Sequence, residues 1–240
     1  MTQINSISYA EYLLKNLMGV SSVNLNGIKD KQVLTEIVDA FSECVGLYPE
    51  IINSICHIGN SVDEDYYLNL LDNSFDRRDL NWEVHDWQEP FCVYAYAFDE
   101  SRKPLDFLGI SIGPDIMKHN LEDINYCYSD AADRGYFVEH GGTLRGTIIH
   151  EVAHILDFIL GISNDPEFLA LIKDIDISQE ISEYAAKDNL ETFAEAMTEY
   201  HLSPNPSPLI QAIGDLTNRR YEAVINNKPK YFELVRRYKC

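Results

Sequence analysis

Apolar residues recur at helical spacing through the first part of the chain. Residues 8–17, SYAEYLLKNL, and residues 30–48, DKQVLTEIVDAFSECVGLY, both show this period. Apolar side chains three and four positions apart form one stripe along a helix, and such a stripe packs against a core. In the second segment the stripe consists of Val33, Ile37, Val38, Phe41 and Val45. We therefore predict two amphipathic helices, and we expect residues 49–59, PEIINSICHIG, to add a further short helix.

The hydrophobic pattern changes near residue 90. Residues 91–98, FCVYAYAF, alternate and are rich in aromatic side chains, and residues 107–113, FLGISIG, form a short apolar run. Residues 134–142, RGYFVEHGG, end in two glycines. Short runs of this kind, bounded by glycine, are typical of β-strands. We predict that these three segments are strands of a small mixed sheet.

Two further helices are predicted after the strands. Thr143 is a suitable N-cap for a helix over residues 144–160, and Gly161 is placed to end it. Asp188 is a suitable N-cap for a helix over residues 189–202, which the prolines of SPNPSP end. The chain thus reads as helices, then a small sheet, then two helices.

This order of elements indicates an α+β fold. A chain of 240 residues with 45% hydrophobic residues is long enough for one well-packed domain. Because no linker is visible, we expect a single domain over residues 1–240. Its residues 1–85 are predicted to be mainly helical, and its residues 86–240 to contain the sheet and the last two helices.

The chain is strongly acidic, with 19 Lys and Arg against 39 Asp and Glu and a formal net charge of −20. No cluster of basic residues stands out, so binding to nucleic acid or to anionic membranes is disfavoured. No apolar run approaches the ~18 residues that a membrane span needs. A charge of this kind usually forms a solvated surface, which favours solubility.

The opening residues and the cysteines bear on the compartment. The first 20 residues show no basic segment followed by a compact apolar one, so no signal peptide is visible. Five cysteines are widely spaced and form no C-x-x-C pair, which indicates reduced thiols; they are Cys44, Cys56, Cys92, Cys127 and Cys240. We expect a cytoplasmic protein, or one exported to a host cell by a route that needs no signal peptide.

Candidate chemistry lies in the helix predicted over residues 144–160. His150 and His154 are four residues apart, so their rings project from one face, one turn apart, where one tetrahedral zinc ion can bind both. Glu151 stands beside the first histidine, towards the open side of the metal. The pattern H-E-x-x-H on a helix is the signature of zinc metallopeptidases. The alternative is a chance match of two core histidines and an exposed glutamate, which the strand, glycine turn and capped apolar helix around it disfavour.

Zinc held by two histidines needs a third protein ligand. His201 is a lone histidine near a helix end and is expected at the surface. Glu191, Glu195 and Glu199 recur every four residues along one face of the following helix. Glu191 is 37 residues past His154 and can reach back to the metal, but Asp188-x-x-Glu191 also resembles a capping box, in which the glutamate only binds a backbone N–H. The residues alone leave both interpretations open.

The chain resembles a known family of zinc peptidases. His150, Glu151 and His154 followed by Asp157, and Tyr184-Ala185 followed by Glu191 in ETFAEAMTEY, are similar to the zinc-peptidase domain of anthrax lethal factor and to the related Pro-Pro endopeptidases. NKPKYFELV at residues 227–235 has a counterpart in the same family. The resemblance covers about residues 135–240 at the level of motifs, and it implies a zincin-like fold.

The resemblance also implies roles for the matching residues. Glu191 aligns with the third zinc ligand, which makes the protein a gluzincin with one zinc ion per chain. Tyr184 aligns with a tyrosine whose hydroxyl faces the substrate carbonyl, although a core tyrosine is the alternative. Glu195 matches a carboxylate that orients a ligand histidine, here His150, and Asp157 is placed to act similarly. For Glu195 and Asp157 the alternative is an exposed salt bridge.

We therefore expect a zinc metalloendopeptidase in which Glu151 is the general base. Its polypeptide substrate is expected to bind in extended form along the strand that ends in YFVEHGG, and the relatives favour a toxin or effector role. The alternatives are a catalytically inactive, protease-like binding module and a zinc hydrolase that acts on a non-peptide amide. We expect no signal peptide like that of the Pro-Pro endopeptidases, and the sequence is far shorter than lethal factor, so their delivery and specificity are not carried over.

Overall fold

A small four-stranded sheet lies among helices in the computed structural model of the protein, which describes residues 4–60, 93–98 and 107–227. The strands are β1 (Ser22–Asn24), β2 (His57–Asn60), β3 (Val93–Phe98) and β4 (Phe107–Ile112), in the spatial order β1-β2-β4-β3. β1, β2 and β4 are parallel, and β3 runs antiparallel to β4. The fold is α+β with a small mixed sheet, as predicted.

The two amphipathic helices predicted near the start of the chain are confirmed. Helix α1 spans Ile7–Met18, and helix α2 spans Lys31–Leu47 with Asp30 as its N-cap. The stripe of α2 is buried at Val33, Ile37, Val38 and Phe41, and Val45 packs against it. Helical periodicity therefore identified the face that meets the core.

The prediction of a helix over residues 49–59 is correct only for its first turn. Helix α3 spans Pro49–Ile52, and β2 begins five residues later at His57. Tertiary pairing overrides the local pattern here, because Cys56 N donates a hydrogen bond to Leu108 O at 2.7 Å and β2 then lies between β1 and β4. The strand β1, only three residues long, was not predicted.

Seven helices follow the sheet in the described part of the chain: α4 (Pro114–Lys118), α5 (Leu121–Asp133), α6 (Leu144–Leu160), α7 (Pro166–Ile172), α8 (Ile177–Glu180), α9 (Asn189–Leu202) and α10 (Pro208–Asn226). The helices α6 and α9 have the predicted bounds and N-caps. The helix α5 was not predicted, since most of its side chains are polar and it buries only Ile124 and Tyr128. α10 was not predicted either.

The strand predicted over residues 134–142 is not formed, and that prediction is wrong. The segment is a turn followed by a single 3-10 turn at Glu139–Gly141. Side chains of α9 occupy two of its N–H groups, because Val138 N donates to Glu195 and His140 N to Glu199. The substrate-binding edge expected there is therefore absent from this segment, whereas β3 pairs only with β4 among the described strands and forms an edge.

Helix α6 is central to the packing. It contacts α2, α9 and β3 and buries the side chains that point away from the histidines, among them Ile148, Ile149, Val152, Ile155 and Leu156. Arg145 fastens it to α2, with Nε 2.7 Å from Glu36 Oε1 and a guanidinium nitrogen 3.1 Å from Glu43 Oε2. His150, Glu151 and His154 are thus carried by a helix that is fixed on several sides.

The cysteines do not all match their prediction. Cys44 and Cys127 are free thiols, but Cys56 is disulfide-bonded, so the prediction that all five cysteines are reduced is wrong for Cys56. Because disulfides persist in oxidising compartments, the cysteines no longer support a reducing compartment.

No helix among the described residues is long and apolar enough to cross a membrane. The reduced thiols predicted for Cys92 and Cys240 lie outside the described residues, as do residues 61–85 of the part predicted to be mainly helical, the first two residues of the strand predicted over 91–98, and residues 228–235 of the segment NKPKYFELV.

Candidate metal centre

Both ends of α6 are fixed by capping residues, and the helix between them determines where its two histidines lie. Thr143 Oγ1 accepts a hydrogen bond from Gly146 N at 3.0 Å, and Gly161 ends the helix in the left-handed conformation at φ 70°. Gly146 also lets the preceding loop approach the helix, because a Cβ at this position would lie 2.3 Å from Gly141 O. His150 and His154 then stand one turn apart, with ring centroids 4.8 Å from each other.

Glu191 reaches the histidines from the first turn of α9. Asp188 Oδ1 caps that helix by accepting hydrogen bonds from Leu190 N at 2.8 Å and Glu191 N at 3.0 Å. The Glu191 carboxylate turns towards α6 instead of completing a capping box with Asp188, and its Oε2 lies 3.1 Å from His150 Nε2 and 3.3 Å from His154 Nε2. The N-cap is therefore real, while the glutamate faces the histidines.

Three potential ligand atoms converge between α6 and α9. The Nε2 atoms of His150 and His154 are 3.1 Å apart, and Glu191 Oε2 completes a triangle with sides of 3.1, 3.1 and 3.3 Å. Two ligands at 2.0–2.1 Å from a tetrahedral ion lie roughly 3.3 Å from each other. Two imidazoles and one carboxylate, spaced in this way, fit a tetrahedral metal ion with one position left open.

Glu151 belongs to the same acidic and imidazole group. His150, Glu151 and His154 offer ligand atoms that all lie within 4.8 Å of one another, and this cluster can hold a metal ion. Glu191 Oε2 lies 3.1 and 3.3 Å from the two imidazole nitrogens. We therefore favour Glu191 over Glu151 as the third ligand, because its distances match a shared coordination sphere.

The charges at the site support binding of a cation. Burial alone would lower the pKa of His150, but hydrogen bonds with Glu191 and Glu195 outweigh it and raise the pKa to about 10. Burial would raise the pKa of Glu191, but hydrogen bonds with His150 and His154 lower it well below its usual range. A proton on His150 thus balances the buried carboxylates here, and a divalent cation can replace that proton.

Glu195 holds the other nitrogen of His150. Its Oε1 lies 3.0 Å from His150 Nδ1, and its Oε2 accepts hydrogen bonds from Val138 N and Ser182 Oγ, each at 2.8 Å. The carboxylate is only 2% exposed, so its three partners replace water. A carboxylate bonded to Nδ1 fixes the ring so that Nε2 faces the metal position. This is the contact that the resemblance implied for Glu195.

Tyr184 lies next to the same atoms. Its ring centroid is 5.8 Å from that of His150. Burial and the nearby charges of Glu191 and Glu151 raise the pKa of the Tyr184 hydroxyl far above its usual range. The hydroxyl therefore stays protonated and can donate a hydrogen bond. Lys187 Nζ covers the ring, 3.6 Å from its centroid.

A cavity of about 680 Å³ opens beside His150. Glu151, His150 and Tyr184 contribute to its wall, as do the aromatic side chains of Tyr136 and Phe137. Glu151 is 8% exposed, so its carboxylate is shielded from bulk water but borders this space. The cavity therefore gives a bound molecule access to His150, Glu151 and Tyr184 together.

Other polar residues singled out in the sequence lie elsewhere or do something different. Asp157 accepts hydrogen bonds from Ser163 N and Ser163 Oγ, both at 2.7 Å, so its two oxygens fasten the turn after α6. His201 is partly buried, not at the surface, and its Nε2 lies 3.2 Å from Tyr48 OH. Ser182 was missed, since an isolated serine between two turns carries no recognisable motif.

Comparison of the chain with protein-family models, curated proteins and solved structures found no match.

Proposed function

We propose that the protein is a zincin-like metalloendopeptidase of the gluzincin type, with one zinc ion held by His150, His154 and Glu191. The observation that carries the proposal is the triangle of two imidazole nitrogens and one carboxylate oxygen at 3.1–3.3 Å. Glu195 on the far nitrogen of His150 supports it, because ligand histidines in zinc enzymes usually donate to a carboxylate. The proposal that the substrate is a peptide rests on the resemblance of the motifs to the lethal-factor and Pro-Pro endopeptidase family.

The residues around the ligands suit hydrolysis of an amide bond. A zinc ion bound here would lower the pKa of a coordinated water towards ~7 and polarise a carbonyl group. Glu151 borders the cavity and is suited to accept a proton from the attacking water and to donate it to the leaving amine. Tyr184 keeps its proton, so its hydroxyl is available to donate to the oxyanion that forms on the carbonyl oxygen.

The substrate is expected to bind as an extended strand. The segment over residues 134–142 offers no strand, but β3 is an edge strand among the described strands and contacts α6. An extended peptide gains backbone hydrogen bonds when it pairs with such an edge. We therefore assign the peptide-binding edge to β3. An effector role stays a prediction from the resemblance.

A Glu151→Gln substitution tests the proposal directly. The amide keeps the size and polarity of the side chain but cannot act as a base, so bound zinc should stay at one ion per chain while peptide turnover falls by several orders of magnitude. Glu122→Gln, the same change at an exposed position on α5, is the matched control and should be silent.

The measurement combines metal analysis with digestion of a proteome-derived peptide library by zinc-loaded protein. Wild-type protein that binds zinc and cleaves no peptide would favour the inactive binding module. Turnover of non-peptide amides alone would favour the third alternative, and full activity in Glu151→Gln would exclude the general-base role.

A further inference from the structure

A single buried carboxylate joins three separate parts of the site. Glu195 on α9 contacts His150 on α6, Val138 in the loop before α6, and Ser182 in the segment before α9. These three contacts measure 3.0, 2.8 and 2.8 Å. Because Glu195 is 2% exposed, loss of any partner leaves a buried polar group without compensation. The carboxylate therefore fixes His150 relative to both neighbouring segments.

Ser182 connects this carboxylate to the turn that carries Tyr184. Its hydroxyl donates to Glu195 Oε2 at 2.8 Å and accepts from Ala185 N at 3.0 Å. A serine hydroxyl has one proton, so these two bonds fix its orientation. Tyr184 lies between Ser182 and Ala185, inside the short turn that the second bond closes. Ser182 is itself 2% exposed, and water does not compete for its hydroxyl.

The loop on the other side of Tyr184 is anchored to the same carboxylate. Tyr184 N donates to Tyr136 O at 2.9 Å, and the Tyr184 ring lies 5.3 Å from that of Phe137. Two residues beyond Tyr136, Val138 N is bound by Glu195. Tyr184 is thus held between two segments, each of which donates a hydrogen bond to Glu195.

We propose that Ser182 is a positioning residue, which fixes the Tyr184 hydroxyl relative to the metal ligands by linking the Tyr184 turn to the carboxylate that orients His150. The role in turnover rests on the proposed function, whereas the effect on the position of Tyr184 does not. A displacement of about 1 Å in such a group can lower turnover on the order of 10²-fold.

The first experiment is a double-mutant cycle in the full zinc-loaded chain. Ser182→Ala should retain one zinc per chain and lower kcat roughly 10- to 100-fold with little change in KM. If Ser182 acts through Tyr184, the double variant with Tyr184→Phe should be no slower than Tyr184→Phe alone. Losses that multiply in the double variant would overturn the proposal.

The matched control is Ser163→Ala. Ser163 is also a buried serine, 1% exposed, and its Oγ donates to the carboxylate of Asp157 at 2.7 Å, at the opposite end of α6 from the loop that Glu195 holds. This variant loses the same kind of hydrogen bond and should keep kcat within about twofold of wild type. An equal loss of kcat in Ser163→Ala would show that destabilisation of the fold, and not the position of Tyr184, causes the effect.

The second experiment does not require peptidase activity. In protein with 13C-labelled tyrosine rings, the signal of Tyr184 is the one that disappears in Tyr184→Phe. Ser182→Ala should shift and broaden that signal, while Ser163→Ala leaves it unchanged. An unchanged Tyr184 signal in Ser182→Ala would overturn the proposal. A wild-type protein without peptidase activity would refute only the proposed function.

A measurement on the wild-type protein covers the case in which Ser182→Ala does not fold. The amide of Ala185, bonded to Ser182 Oγ, should exchange with deuterium about as slowly as that of Thr192, which is bonded to Asp188 O at 2.9 Å in the first turn of α9. Complete exchange of Ala185 at the first time point would refute the fixed turn and the proposal with it.

Discussion

At the scale of single residues, two glutamates of α9 divide the nitrogens of one histidine between them. Glu191 faces His150 Nε2 at 3.1 Å, and Glu195 faces His150 Nδ1 at 3.0 Å. The two glutamates are four residues apart on α9. One helical turn therefore separates Glu191, a candidate ligand, from Glu195, which orients the candidate ligand His150 on α6. Glu199, one turn further on, binds His140 Nδ1 at 2.7 Å and takes no part in this arrangement.

The first prediction follows from this division. Replacement of His150, His154 or Glu191 by Ala should weaken zinc binding by more than roughly 100-fold. This is the largest loss of affinity usually seen when only a hydrogen-bond partner of a ligand is removed, and loss of a ligand itself should cost more. Glu199→Ala, the matched control on the same helix face, should keep one zinc per chain. Zinc affinities are measured by competition with a chelator of known affinity. If Glu191→Ala kept full affinity and Glu195→Ala lost it, the assignment of the ligands would be wrong.

The second prediction concerns the Tyr184 hydroxyl. Tyr184→Phe should leave zinc content and the unfolding temperature nearly unchanged, because the ring keeps its packing against Tyr136 and Phe137. We expect kcat to fall on the order of 10²–10³-fold with a smaller change in KM, as for one oxyanion donor. Steady-state kinetics on a cleaved peptide provide the measurement. Normal turnover in a poorly folded variant would instead identify a core tyrosine.

At the scale of elements, the close approach of the 134–142 loop to α6 depends on a helical glycine. Gly146→Ala should lower the free energy of unfolding by about 1–3 kcal/mol, because the new Cβ would lie 2.3 Å from Gly141 O. Gly46→Ala in α2 is the control, since a Cβ there meets nothing within 4 Å, and it should be neutral or stabilise by up to about 1 kcal/mol. Urea unfolding of both variants gives the values. Equal effects would mean that the loop moves freely.

The elements also show what could be predicted from the sequence. The helices α6 and α9 were predicted with their bounds because each combines a strong local pattern with an N-cap, Thr143 or Asp188. The strand over residues 134–142 was predicted wrongly because carboxylates more than 50 residues away, on α9, bind its N–H groups. Local patterns carry no information on such distant partners, which also explains why β1, paired with β2, was missed.

The residues of the candidate site also differ in how far a local sequence pattern could identify them. His150, Glu151 and His154 lie within one turn and could be identified from spacing alone. Glu191 and Glu195 needed the family resemblance, because an alternative as a capping-box residue or a surface ion pair was equally compatible with the helix. The contact between Ser182 and Glu195 depends on the packing of two segments, and no sequence pattern predicted it.

At the scale of the whole molecule, the net charge of −20 has a consequence for substrate capture. Three acidic side chains border the cavity together with one arginine, Arg134; they are Glu151, Glu183 and Glu195. If the field of the chain extends into the cavity, peptides with Lys or Arg beside the cleaved bond should show a higher kcat/KM than matched neutral peptides. The preference should fade as salt shortens the Debye length from ~10 Å at 0.1 M to ~3 Å at 1 M.

Matched peptides that differ only in flanking charge, assayed at low and high salt, provide this measurement. A preference that survives at 1 M salt would indicate a local pocket for a basic side chain. Equal kcat/KM for all peptides at both salt concentrations would mean that the acidic surface contributes only to solubility.

The division of the candidate ligands between α6 and α9 also determines when the site is completed during synthesis. A nascent chain that has reached Gly161 carries both histidines and Glu151, yet it lacks Glu191, which follows His154 by 37 residues (191 − 154). Two imidazoles alone provide an incomplete set of ligands for zinc. The ribosome must therefore release the first turn of α9, and that turn must dock on α6, before the candidate metal centre is whole. Truncated products that end before Asn189 would consequently contain the recognisable H-E-x-x-H motif but only two of the three candidate ligands.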